Sequence, residues 1–175
     1  MKRMLVAGLV CAMLCMVGCA PSENFMDALF GIQHNVAILA STELDLTATQ
    51  VLLTPTTPAD VVGKESRVCA VLAGDVPLKG SEKEVERLLH GAKLNATVTT
   101  SDGATHAFAC PSSGWSLQGR IVASNEIAAC VQSSCANAAM PVGSKIQSVA
   151  ISSSSALHVL GVYWDSTAAY DRNGN

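Results

Sequence analysis

The chain has 175 residues, of which 49% are hydrophobic, 14% charged and 4% aromatic, with seven cysteines and a net charge of -3. That length suits one domain with a real core, or two small ones, and excludes a large multidomain enzyme. Scattered lysines without a basic cluster argue against a nucleic-acid grip, so no nucleic-acid partner is expected.

Lys2 and Arg3 precede an apolar run from Met4 to Val17. A bilayer-spanning helix needs about 20 apolar residues, so this shorter run reads as the h-region of a signal peptide. It ends in Met16-Val17-Gly18-Cys19, followed by Ala20-Pro21-Ser22-Glu23-Asn24. These residues resemble the lipobox of bacterial lipoproteins: aliphatic residues, a small residue, then the cysteine that is lipidated. The resemblance covers the leader alone. It implies diacylglyceryl transfer to the Cys19 thiol, cleavage after Gly18 and acylation of the new amino terminus. Ala20, rather than aspartate, implies the outer membrane, with the body facing the periplasm or the cell surface. The organisation expected is a signal peptide over 1–18, a lipidated tether over 19–24, a folded domain over 25–167 and a polar tail over 168–175.

Cys11 and Cys15 fall in the leader, which leaves Cys69, Cys110, Cys130 and Cys135 beside Cys19. An even count in an oxidising compartment reads as two disulfides, with three pairings open. Val131-Gln132-Ser133-Ser134 makes a short loop that could close locally, which favours Cys130–Cys135 with Cys69–Cys110. A zinc ribbon would show two close pairs, and thioredoxin chemistry needs C-x-x-C; the sequence has neither.

Along the body, Phe25–Phe30 reads as a turn of helix or a packed arm. His34–Ala40 and Thr47–Thr54 are strand-like runs separated by the polar Ser41–Asp45. Thr54–Asp60 holds two prolines and is a loop, because proline gives no ladder donor. Ser66–Ala73 is apolar on both faces and predicts a strand covered on both sides or one facing a second sheet. Ser81–Gly91 is the clearest helix: Ser81 and Glu84 make a capping box, Val85, Leu88 and Leu89 form one face, and Gly91 is the stop. Its Glu and Lys/Arg pairs read as a solvated face.

Lys93–Ser101, Asp102-Gly103 and Ala104–Cys110 read as a hairpin closed by a two-residue type I′ turn. That turn would set Val98 opposite Ala107, Ala96 opposite Ala109, and Phe108 against Thr97 on the other face. Leu117–Ala123 alternates as a strand, and Asn125–Val131 reads as a helical turn. Lys145–Ser152, a serine turn and Leu157–Trp164 close the domain. The last strand places Leu157, Val159 and Tyr163 on one face and Leu160, Val162 and Trp164 on the other, so it should be central. About eight strands with one connecting helix predict a mainly β fold, an antiparallel β-sandwich or jelly-roll-like domain.

Catalytic motifs are thin. Gly114-Trp115-Ser116-Leu117-Gln118 lacks the closing glycine of a nucleophile elbow, and Gly63-Lys64-Glu65 lacks the hydroxyl residue of a phosphate loop. His34, His90, His106 and His158 have no metal-ligand spacing, although His106 and His158 could meet across a sheet. Trp115, Tyr163 and Trp164 are candidate anchors for a partner if they are exposed, and core residues otherwise. Asn95-Ala96-Thr97 matches a glycosylation acceptor, which carries little meaning in a bacterial setting. No cofactor or metal is implied. The reading is a non-enzymatic module tethered to the membrane by its N-terminal lipid and binding an envelope or incoming protein. The rivals are a small envelope hydrolase or metal-dependent enzyme, and a purely structural lipoprotein.

Overall fold

The computed structural model of the chain describes residues 32–72, 86–87, 89–113, 127–133 and 140–169. The leader with Cys19, the tether, the Phe25–Phe30 arm, the Ser81 cap, Trp115, Ser116, the Leu117–Ala123 strand and Cys135 lie outside these residues.

Ten strands are described: β1 (Ile32–Ala40), β2 (Leu44–Leu46), β3 (Val51–Leu53), β4 (Glu65–Leu72), β5 (Leu94–Thr100), β6 (Thr105–Phe108), β7 (Cys110–Ser113), β8 (Ile127–Gln132), β9 (Ile146–Ser153) and β10 (Leu157–Ala169). They form two antiparallel sheets. One runs β1-β10-β4-β8-β7, with β2 also pairing to β10; the other runs β3-β9-β5-β6. The two sheets pack face to face as a β-sandwich, as the alternation of short strands and turns predicts.

The central strands are those that are apolar on both faces. β4 lies between β10 and β8, and β10 between β4 and the β1/β2 edge. Val68, Ala70 and Leu72 from β4 meet Val98, Val149 and Ile151 of the other sheet in one buried core. On the outer face of the larger sheet, Cys69, Val71, Ala128 and Cys130 form a second, smaller buried cluster, against which Val36, Leu160 and Tyr163 pack.

Four sequence expectations change. Asn125–Val131 is not a helical turn, because Ile127–Gln132 is strand β8, paired on both sides with β4 and β7. Ladder bonds on both edges override the helix preference of Ala128 and Ala129. The hairpin register also moves by one residue: Ala96 faces Phe108 and Val98 faces His106. Thr100 N–H donates to the Ala104 carbonyl at 2.9 Å and Gly103 N–H to the Thr100 carbonyl at 2.9 Å, so three residues, not two, make the turn. Gly103 takes a φ of 85°, the left-handed residue that a three-residue hairpin needs. A one-residue slip turns every side chain over, and Phe108 therefore faces the core.

The third change is in β10. A register shift between Val159 and Gly161 breaks strict alternation. Leu157, Val159, Val162 and Trp164 all face the main core, while Tyr163 joins the outer cluster. The bulge supplies the extra residue that swaps the faces. At Gly161 an added Cβ would stand 2.9 Å from the Ala40 carbonyl oxygen, so the close approach of β1 requires glycine. The strand also runs to Ala169, two residues into the predicted tail.

The fourth is the disulfide pattern. Cys69 joins Cys130, directly opposite it on the β4–β8 ladder, with Cα atoms 4.0 Å apart. The Cys69–Cys110 and Cys130–Cys135 pairing is thereby corrected. Once residues 127–132 are extended, Cys130 points at β4 and not back along its own loop. Cys110 is also disulfide-bonded.

The chain changes sheets at Ala109. β6 ends at Phe108 in the smaller sheet, and β7 begins at Cys110 on the edge of the larger one. Pro111 is compatible with β7 because an edge strand has a side that needs no donor. Of the predicted helix, the described residues show its end: Ala92 N–H donates to the Leu89 carbonyl at 2.8 Å, and Gly91 adopts a φ of 78° as the stop.

Candidate functional site

Up to a register shift between Thr99 and Thr100 on the β9 side, the smaller sheet alternates between an inner and an outer face. Val51 and Leu53 pack towards the core, whereas Leu52 between them is 70% exposed. Leu52 stands opposite Ala150, Ala150 opposite Thr97, and Thr97 opposite Ala107. The adjacent row carries Ser148, Thr99 and Thr105. This outer face bears small, hydroxylic and apolar side chains across four strands and, within these rows, no charge. A solvated sheet face ordinarily carries charged residues, and depletion of charge is a compositional mark of interface cores.

Charged groups cluster elsewhere. On β10, His158 Nδ1 lies 2.8 Å from Asp45 Oδ1 and its Nε2 lies 3.5 Å from Glu43 Oε2. The hydrogen bond to Asp45 holds the His158 imidazole above its ordinary pKa, with the charges of Asp45 and Glu43 adding to it. The two carboxylates address opposite ring nitrogens of a solvent-exposed residue. That arrangement favours an imidazolium and cannot gather three ligands about one ion. Among the described residues, no three His, Cys, Asp or Glu side chains are grouped to hold a metal.

His106 and His158 are not brought together. His106 faces Val98 in the smaller sheet, and His158 pairs with Asp45 in the larger. A different pair forms instead: His34 Nδ1 lies 3.5 Å from Oδ1 of Asp165, which is 1% exposed. Thr167 Oγ1 lies 3.3 Å from the same Nδ1. A Ser/Thr-His-Asp relay needs hydroxyl and carboxylate on opposite ring nitrogens, so these three do not form one. Spacing could not reveal this pair, since β1 and β10, which carry it, are the first and last of the described strands.

The aromatic candidates separate. Trp164 is fully buried, its Nε1–H donating to the Asp60 carbonyl at 3.2 Å, and it serves the core. Tyr163 is half-buried against the Cys69–Cys130 cluster. Trp115 lies outside the described residues. Gly63, considered above for a phosphate loop, has a packing role: an added Cβ would run into the Thr167 carbonyl oxygen and the Ala168 backbone. The neighbouring Val62 N–H donates to Ser166 Oγ at 3.0 Å, which seats this segment against β10.

Compared with protein-family models, curated proteins and solved structures, the chain matches none.

Proposed function

We propose that this chain is an outer-membrane lipoprotein whose β-sandwich is a non-enzymatic module, binding an envelope or incoming protein through the outer face of the smaller sheet. The observation that carries the reading is the row Leu52, Ala150, Thr97 and Ala107, uncharged and contiguous across four strands. Little desolvation cost attaches to covering such a surface, because no ion must be stripped of water. The Gly18-Cys19 lipobox supports the anchor, since several acyl chains hold a protein on a membrane essentially permanently.

A photo-crosslinking residue placed at Thr97 in the full chain, expressed in a bacterial envelope, tests the face. The expected result is one discrete adduct that Ala150→Glu removes, with none from a crosslinker at Glu43, just before β2 of the other sheet. Equal adducts from both positions, no adduct, or an adduct indifferent to Ala150→Glu would overturn the assignment.

A further inference from the structure

A cleft of about 360 Å³ opens between the sheets where β5, β7 and β8 come together beside the end of the helix. Its walls are mainly apolar: Leu89 and Ala92 from the helix end, Leu94 from β5, Pro111 from β7, and Ala129 and Val131 from β8. The volume falls in the range of small-molecule sites, which are usually apolar with a few placed polar groups. One such group is present. Lys93 lines the cleft and is exposed, and among the described residues its ammonium makes no ion pair.

The root of that lysine is fixed. Lys93 N–H donates to Ser154 Oγ at 2.9 Å, and Ser154 N–H donates to the Lys93 carbonyl at 2.9 Å. The β8 wall is tied to β4 through Cys69–Cys130. A cation on an anchored backbone thus borders an apolar slot whose β8 wall is covalently braced to β4.

We propose that this cleft binds a single-chain fatty acid, its hydrocarbon between the sheets and its carboxylate on Lys93. Charge complementarity selects the headgroup: the Lys93 ammonium, without an ion pair among the described residues, gains from a carboxylate, gains little from an alcohol and repels an ammonium. The apolar walls select the chain, since each methylene withdrawn from water contributes. This site is separate from the sheet face proposed above, and the two stand or fall independently.

The test is photolabelling of the full chain in its membrane with diazirine-bearing decanoic acid, followed by peptide mapping, with diazirine-bearing decanol as the comparison. The expected result is saturable labelling of the segments containing Leu94 and Pro111, displaced by unlabelled decanoate. Lys93→Ala should weaken decanoate about fivefold, the worth of an exposed ion pair, and leave decanol unchanged. Ala109→Trp places bulk at an exposed residue beside Pro111 and should abolish labelling by both probes. Labelling elsewhere, equal competition by decanol and decanoate, or insensitivity to Ala109→Trp would overturn the proposal.

Discussion

The rings of Phe108 and Trp164 meet with centroids 6.1 Å apart and planes inclined by 40°, one from each sheet. Both side chains are fully buried. Tilted aromatic pairs at this separation add to the energy of burial itself, so this contact is a principal bond between the two layers.

Truncating either ring should therefore loosen the sandwich. Phe108→Ala should cost about 3–5 kcal/mol in denaturant unfolding, the usual range for a buried aromatic. Ala107→Ser, one residue away on the outer face, should change stability by less than about 0.5 kcal/mol. Comparable losses at the two positions would contradict the observed register and restore the two-residue turn.

The disulfide makes a covalent prediction. Mapping of the unreduced chain should recover a peptide pair holding Cys69 and Cys130, and Cys110 linked to the remaining body cysteine, Cys135. The Cys69–Cys130 bond spans a sequence separation of 61 residues. By chain-entropy reasoning its loss should cost about 4 kcal/mol. Recovery of a Cys130–Cys135 peptide would refute the β4–β8 register.

Gly63 should not tolerate a side chain. An added Cβ meets the backbone carbonyl of Thr167 and the Ala168 backbone, neither of which can swing away. Gly63→Ala should destabilise by about 1–3 kcal/mol, as overpacking does. A neutral melting temperature would mean that the Asp60–Gly63 segment does not seat on β10 as described.

His158 should titrate above the ordinary histidine range, because of its hydrogen bond to Asp45. A group with a raised folded pKa contributes stability that is fully present below its unfolded value, about 6.5, and is lost as pH rises through the folded value. Amide protection in β2, relative to the intrinsic exchange rate at each pH, should accordingly fall as pH climbs through the His158 transition, and Asp45→Asn should lower the pKa measured by NMR. Unchanged titration in Asp45→Asn would contradict the pairing.

Much of the fold was legible because its signals are local. The two-sided apolar runs at Ser66–Ala73 and Leu157–Trp164 located the central strands β4 and β10, and Asp102-Gly103 located the hairpin turn. What escaped depends on one residue of phase or on distant partners. Nothing in the alternation of Leu157–Trp164 announces the bulge at Gly161 that turns Tyr163 outward and Trp164 inward. Asp102-Gly103 serves a two-residue or a three-residue turn equally well, and the choice decides where Phe108 goes. Cys130 pairs with Cys69 only because residues 127–132 are extended, which Ala128 and Ala129 conceal. The uncharged face is likewise a property of register, since Leu52, Ala150, Thr97 and Ala107 come from four separate segments. Lys93 was legible only as one of several scattered lysines.

Intact mass of the protein extracted from native membranes reads out the lipid anchor and the state of the cysteines together. We expect cleavage before Cys19, added mass from acyl chains, and four thiols that alkylate only after reduction. An unacylated chain retaining residues 1–18, or one with free thiols before reduction, would contradict a lipid-anchored module in an oxidising compartment.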